Sequence, residues 1–421
     1  MSCRTRTVVS CTFAAALVTG TALLTAGPLN PPAGAVSPTY KTLTEVEPRI
    51  AVSAANTPGD ADSLFKITQP GSYYLAGNIS GVANKHGVEI ATGNVTLDLN
   101  GFDLVGPGGA GTFDGVSVTV SDIVNVCVMN GNVRNWPGDG VNIGLSFTDG
   151  SRVDSIRSSG NGAIGISAGR DNVVTNCSAA QNGSFGIRVA GSTSIIGCTA
   201  ARNANDGIST LGDCTISDCT SWFNTGEGFS SSTTAFTNCQ SAENTGVGYA
   251  VGPNSTLVNC VASGNGLNGV TASFGTTVQA STISNSAGIG ISIGTGGAVL
   301  DCVLRENGGG GITCGAQSVI RGNSCSANNS AAASIAAIAA TANDNRIEGN
   351  NCGGSDIGLS VTGAGNIIIR NTCSGNALNW SIVAGNALAP IVVATTNAAA
   401  VNGNAYAGNL GSTDPNANFT Y

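Results

Sequence analysis

The sequence predicts an all-β chain wound as a parallel β-solenoid, with three short strands in each coil of about 21 residues. Three observations carry this. Cysteines recur at Cys177, Cys198, Cys219, Cys239 and Cys260, at intervals of 21, 21, 20 and 21 residues, and Cys302 follows two such intervals later. Five residues after each comes an Asn (Asn182, Asn203, Asn224, Asn244, Asn265 and Asn307), and four residues further a Gly with an apolar neighbour. Within each repeat the apolar positions alternate with period two, which is the strand period rather than the helical one.

The first strand of a coil carries the pairs Val141/Ile143, Ile166/Ala168, Ile187/Val189, Tyr249/Val251 and Ile291/Ile293. Each begins just after the recurring Gly, as in Gly186-Ile187, Gly207-Ile208, Gly228-Phe229 and Gly311-Ile312. A second strand supplies Val174, Ile195, Ile216, Phe236, Leu257 and Val299. The third holds a single cysteine column running through Cys177, Cys198, Cys219, Cys239, Cys260, Cys302, Cys325, Cys352 and Cys373. The pattern extends backwards through Asn161 and Asn135, with Ile156 and Asn130 standing in for Cys, and one skipped rung keeps Asn285 beside Ala280-Ser281. Coils stacked at about 4.8 Å would place equivalent residues above one another, so the Asn column reads as a hydrogen-bonded ladder in a turn.

Other solenoids fail on period: hexapeptide phasing, a Leu framework and the G-G-x-G-x-D calcium repeat are all absent. Residues 63–395 can supply roughly 15 coils at this period, behind a lead-in or cap at 36–62 and ahead of a tail or cap at 396–421. The Ala-rich stretch Ala331–Ala342 breaks the phasing, as an inserted loop or a degenerate coil.

Composition agrees. The chain has 421 residues with 61 Gly, roughly twice the usual share, and only 10% charged residues against the usual ~25%. At 41% apolar it has material for a core, while a three-residue Gly period and charged heptads are both missing. A net charge of -8 repels phosphate and argues against nucleic acid. Arg4 and Arg6 precede an apolar run from Val8 to Leu24 and an Ala33-Gly34-Ala35 cleavage site, so residues 1–35 read as a secretory signal peptide. No later segment approaches the ~18 apolar residues of a membrane span, so a secreted, extracellular or periplasmic protein is expected. The twelve cysteines after the leader all read as inward-facing. Parallel side chains in one column suit packing better than disulfides, and cannot surround a tetrahedral zinc. Secretion leaves disulfides open as an alternative.

A leader followed by this Cys/Asn/Gly-Ile repeat resembles the right-handed parallel β-helix superfamily, the pectate-lyase-like fold. The stretches Pro70–Asn78, Val95–Gly101, Asn345–Asn350 and Ile369–Gly375 look like those of its bacterial secreted β-helix repeat proteins. The resemblance spans residues 63–395 and implies a right-handed winding. It does not choose an activity, because the superfamily holds pectate lyases, polygalacturonases, alginate epimerases, phage tailspikes and non-catalytic surface proteins.

Two rows are candidates for chemistry. The outward row of the first strand reads Glu89, Ser117, Asn142, Ser167, Arg188, Ser209, Ser230, Ala250, Thr271, Ser292, Thr313, a bland surface without a calcium-ligand cluster. The turn position before the recurring Gly reads His86, Asp114, Asp139, Ile164, Phe185, Asp206, Glu227, Val247, Asn268. Asp206 and Glu227 would sit about one rung apart, near the spacing of a retaining glycosidase pair. Asp114 and Asp139 would stack with His86, the only histidine. These four acids are the catalytic candidates, although Asp before Gly is also ordinary turn chemistry. Arg188, Arg202, Trp222 and Glu243, with Phe223, are the ligand-binding candidates. The expected function is a secreted β-helix that binds extracellular polysaccharide or serves as a cell-surface structural or adhesion protein. The alternative is a glycoside hydrolase or polysaccharide lyase using an acidic cluster on the helix face. No metal site is assigned, with Ca2+ the one cofactor left open, and the oligomeric state is not readable.

Overall fold

The computed structural model describes residues 47–144, 148–329, 334–394, 396–405 and 410–421. The expected signal peptide at 1–35 and the start of the Ala-rich stretch lie outside the described residues. The unit Arg49–Tyr421 is a right-handed parallel β-helix. Its first face is a 15-stranded sheet from Ser63–Ile67 to Leu378–Ile382. Its second and third faces hydrogen-bond round a tight corner as one 30-stranded sheet. The final strand, Asn418–Thr420, comes from the segment expected as a tail and pairs with Thr372–Ser374 and Ile391–Val393. Of the Ala-rich stretch, Ala336–Ala340 is a first-face strand between Ile312–Cys314 and Ile357–Val361, so this part is a coil rather than an excursion.

Register follows the repeat. Ile166, Ile187, Ile208, Phe229, Tyr249, Val270, Ile291 and Ile312 are successive partners on the first face, and all are buried. Val174, Ile195, Ile216, Phe236 and Leu257 do the same on the second. Where the apolar columns carry rings, the rings stack: Phe229 lies over Tyr249 at 4.9 Å with planes 5° apart, and Phe236 meets both edge-on at 5.6 Å. In-register stacking thus turns sequence identity between coils directly into packing contact.

The Asn ladder occupies the turn between third and first faces. Each Nδ2 donates to the next Oδ1, from Asn161 to Asn182 at 3.0 Å, on to Asn203 at 3.0 Å, Asn224 at 2.9 Å, Asn244 at 2.9 Å and Asn265 at 3.1 Å. Every Oδ1 also takes a backbone N–H of the neighbouring coil, so a buried turn leaves few orphan groups. Two expected members are displaced by one residue. Trp136, not Asn135, offers its backbone N–H to Asn161, and Ser286 rather than Asn285 fills the skipped rung. Asn135 and Asn285 instead hold left-handed backbone at φ 60° and 55°, which their short amides tolerate.

The single cysteine column is a correction. Cys177, Cys198, Cys219, Cys239, Cys260 and Cys302 sit at the corner between second and third faces, and there Asn323, Asn350 and Asn371 continue the column. Cys325, Cys352 and Cys373 belong to a different column in the middle of the third strand, above Leu304. Cys127 is corrected as well: it points outward between Thr96 and Arg152 and is half-buried. All twelve described thiols are free. Corner sulfurs donate to carbonyls, as Cys177 does to Thr175 O at 3.1 Å and Cys219 to Ser217 O at 3.1 Å.

Candidate functional site

The turn that returns the chain from third face to first places one side chain per coil beside the start of the first-face strand. A side chain with an acceptor there reaches the backbone N–H of the next coil. His86 Nδ1 accepts from Asp114 N at 2.9 Å, Asp114 Oδ1 from Asp139 N at 2.7 Å, and Asp139 Oδ1 from Ile164 N at 2.8 Å. Asp206 Oδ1 accepts from Glu227 N at 3.0 Å. The structure therefore brings His86, Asp114 and Asp139 into one chain of contacts, and Asp206 and Glu227 into another.

Burial gives these acids unusual protonation. Asp114, Asp139 and Asp206 are 6%, 9% and 6% exposed. Asp139 is pushed up to about 7, first by burial and then by the neighbouring Asp114 charge, against the Ile164 N–H and the Arg188 guanidinium. Asp206 is also pushed up to about 7, first by burial and then by a hydrogen bond with the Glu227 carboxyl. Asp114 is raised by burial, opposed by Asp139 N–H, His86, Ser117 Oγ at 3.0 Å and Asn142 Nδ2 at 3.3 Å. The Glu227 backbone N–H to Asp206 contact sets these two acids on neighbouring rungs of the same turn.

Arg188 lies between the two acid groups, on the first-face row in register with Ser167 and Ser209. Its guanidinium sits 4.9 Å from the Phe185 ring centre. Arg188 Nε and Ser167 Oγ are buried without a hydrogen-bond partner. Buried donors of that kind are rare in folded proteins, and these two lie on adjacent rungs of one row. The row expected to face outward is itself partly closed, since Glu89, Ser117, Ser167 and Ser209 are all under 9% exposed. Alternation predicts which way a side chain points, and carries no information on what lies over it.

The remaining candidates stand apart. Arg202, Trp222, Phe223 and Glu243 sit at the beginning of the same turn. Arg202 stacks over Trp222 at 4.7 Å and Phe223 at 5.3 Å, so a guanidinium already occupies these ring faces. Glu243 is exposed on the next coil, with left-handed backbone at φ 54°.

One acidic group escaped the sequence analysis. Asp60, Asp62 and Glu89 bring carboxylate oxygens within 4.8 Å of one another. They offer the hard oxygen donors that a divalent cation such as Ca2+ takes. The Lys66 ammonium stands among them, 2.8 Å from Asp60 and 2.9 Å from Glu89. Burial would raise the Glu89 carboxyl, but hydrogen bonds from Ser63 at 2.6 Å, Thr119 at 2.5 Å and Lys66 outweigh it and hold it low. The Asp60-x-Asp62 spacing was the only available signal, and it lies in the lead-in rather than in the repeat.

Residues 155–279 match the family described as "Right handed beta helix region". No curated protein matches the sequence. Among solved structures, the chain is similar to the mannuronan C-5 epimerase AlgE4 A-module of Azotobacter vinelandii, at 14% identity and a TM-score of 0.46 over 71% of this chain and 91% of that one. Gene product 12 of bacteriophage phi29, in its pre-mature form, matches at 14% identity and a TM-score of 0.42, over 70% of this chain and 52% of that one. The periplasmic alginate epimerase AlgG matches at 12% identity and a TM-score of 0.37, over 75% and 78%. Among the described residues no helix is long and apolar enough to cross a membrane.

Proposed function

We propose that this chain is an exported enzyme that cleaves or modifies extracellular polysaccharide by acid–base chemistry at the edge of its first face. The observation that carries this reading is Asp139. It is a buried carboxyl poised at about 7 whose charge is felt by Arg188 two coils on, and the Arg188 Nε has no partner. A general acid or base works best with its pKa near the operating pH. At the coil spacing Asp139 and Asp206 are about 14 Å apart, too far to serve one glycosidic bond as a pair. Asp139 is the stronger centre because the Arg188 guanidinium acts on its charge, while burial and Glu227 dominate at Asp206. A base within the field of a guanidinium suits removal of a proton next to a sugar carboxylate, which favours lyase-type elimination over hydrolysis. Asp114 holds the Asp139 pKa up, and Arg188 orients the sugar acid. Asp206 with Glu227 forms a second centre further along the chain's path.

The test is cleavage of a panel of polyuronides and neutral glycans by the wild-type chain, Asp139→Asn and Arg188→Ala. The expected result is unsaturated product from a polyuronide, reduced at least about 100-fold in Asp139→Asn. Full activity in both variants would overturn the assignment. A second reading, a non-catalytic β-helix that binds polysaccharide or builds the cell surface, is favoured by the short turns. The ladder from Asn161 to Asn265 advances by 21, 21, 21, 20 and 21 residues, which leaves no length for walls around a cleft. Binding without cleavage of any glycan would select it.

A further inference from the structure

A second recess lies on another side of the same coils. It follows the corner between second and third faces, has a volume of about 380 Å³, and is lined by Asn130, Asn132, Arg157, Asn176, Ser178 and Thr199. Nothing at the acid edge uses it.

Three of the lining amides are held from behind in the same way. Asn130 Nδ2 donates to Asp98 Oδ1 at 3.2 Å, while Asp98 Oδ2 takes Arg49 at 2.8 Å. Asn132 Nδ2 donates to Asp103 Oδ1 at 2.7 Å, while Asp103 Oδ2 takes Arg134 at 3.0 Å. Asn176 Nδ2 donates to Asp154 Oδ1 at 3.3 Å, while Asp154 Oδ2 takes Arg152 at 2.8 Å. Each carboxylate is thus neutralised by one arginine and fixes one amide. An amide whose N–H group is engaged this way keeps its carbonyl oxygen available as an acceptor. Gly197 keeps one of these oxygens clear. Its φ is +64°, and a Cβ there would come 3.1 Å from Asn176 Oδ1. Arg157 lines the same recess, and no hydrogen bond or ion pair ties it to any described residue. Its outward row continues as Ser178 and Thr199, so short hydroxyls extend from the guanidinium along successive coils.

We propose that this corner groove is a binding site for one acidic sugar unit, separate from the acid edge. Arg157 takes the carboxylate of the sugar acid by two parallel N–H···O bonds. The three amide oxygens and the neighbouring hydroxyls take the sugar's hydroxyl groups. A recess of this size suits a mono- or disaccharide. Its polar lining offers nothing to a lipid or an apolar ligand, and with the acids behind it neutralised, Arg157 sets its charge. The groove would hold a polyuronide chain on the protein while the first face works on it or on another strand.

The experiment is calorimetric titration of the full chain with a short oligouronate of defined length and with its carboxyl-reduced, neutral counterpart. Using Arg188→Ala as background removes any contribution from the acid edge. The oligouronate is expected to bind this background, and adding Arg157→Ala is expected to weaken it about tenfold. The neutral counterpart should bind more weakly and ignore Arg157→Ala. Arg157→Lys keeps the charge without the fork and should fall between. Cleavage is read on the wild-type chain and Asp139→Asn, and groove binding on the Arg188→Ala background, so failure of the acid-edge reading and failure of the groove are separate results. Oligouronate affinity unchanged by Arg157→Ala, equal affinity for both sugars, or no binding to the background would each overturn the groove.

Discussion

The turn before the recurring Gly performs one structural task with two chemistries. In the coil of Asn268 a neutral amide does it, with Oδ1 accepting Ile289 N at 2.8 Å. In the coils of Asp139 and Asp206 a carboxylate accepts the equivalent N–H at 2.8 and 3.0 Å. The backbone asks only for an acceptor, and the amide supplies one without a buried charge. The coils of Val247 and Ile289 lack even that acceptor side chain and still close. Carboxyls at Asp114, Asp139 and Asp206 are therefore surplus to the fold. Burying an acid that the turn does not require costs stability, and such groups concentrate where chemistry uses them.

Exchanging the two chemistries tests this difference most severely. Asp139→Asn keeps the acceptor and should keep the fold, while glycan cleavage falls by roughly 100- to 10,000-fold. The converse change, Asn268→Asp, should add no activity. Retained cleavage in Asp139→Asn would make the carboxylate a turn residue after all.

The pH dependence of stability separates the regions next. Asp139 and Asp206 sit at about 7 in the folded chain, above their unfolded value near 4, so the folded state binds more protons. Their contribution is fully present below the unfolded pKa and is lost as pH rises towards the folded one. Unfolding free energy should fall between about pH 4 and pH 7, by up to about 4 kcal/mol for each group. Asp139→Asn and Asp206→Asn together should flatten that slope, as read from denaturant melts across the range.

The amide ladder should respond in stability alone. Asn203→Ala removes the acceptor of Asn182 Nδ2 and N, and the donor to Asn224 Oδ1 and Ala179 O. Stranding those buried groups should cost roughly 3 kcal/mol in a denaturation curve. Cys219→Ala, in the corner column, should cost only about 1 kcal/mol, and the native thiols should resist a thiol reagent until the chain unfolds.

Much of the fold was legible because stacking makes the sequence its own template. The Ile187, Ile208 and Phe229 column, the second-strand column and the central Asn ladder all follow from one period. What period could not settle was phase. The intervals after Cys302 lengthen to 23 and 27 residues, and the thiols slip there from the corner into the third strand. A one-residue shift likewise hid Ser286 behind Asn285 and Trp136 behind Asn135. Cys127 reads as interior by type, yet alternation along Val126–Arg134 turns it outward. The acid column could be read, but its protonation could not, since that depends on burial and on Arg188 two coils beyond Asp139. Apart from the local Arg152–Asp154 pair, the Arg–Asp–Asn chains behind Arg157 join residues 22 to 49 positions apart, which no local motif announces.

The proton on Asp139 is the most direct point of attack. Carbon-13 titration of the aspartate carboxyls, with Asp139→Asn and Asp206→Asn to assign the signals, reads it without needing a substrate. Two resonances are expected to titrate at about 7, one disappearing in each variant. If both instead titrate near 4 with the exposed carboxylates, the acid edge holds ordinary turn residues and the proposed chemistry has no acid or base.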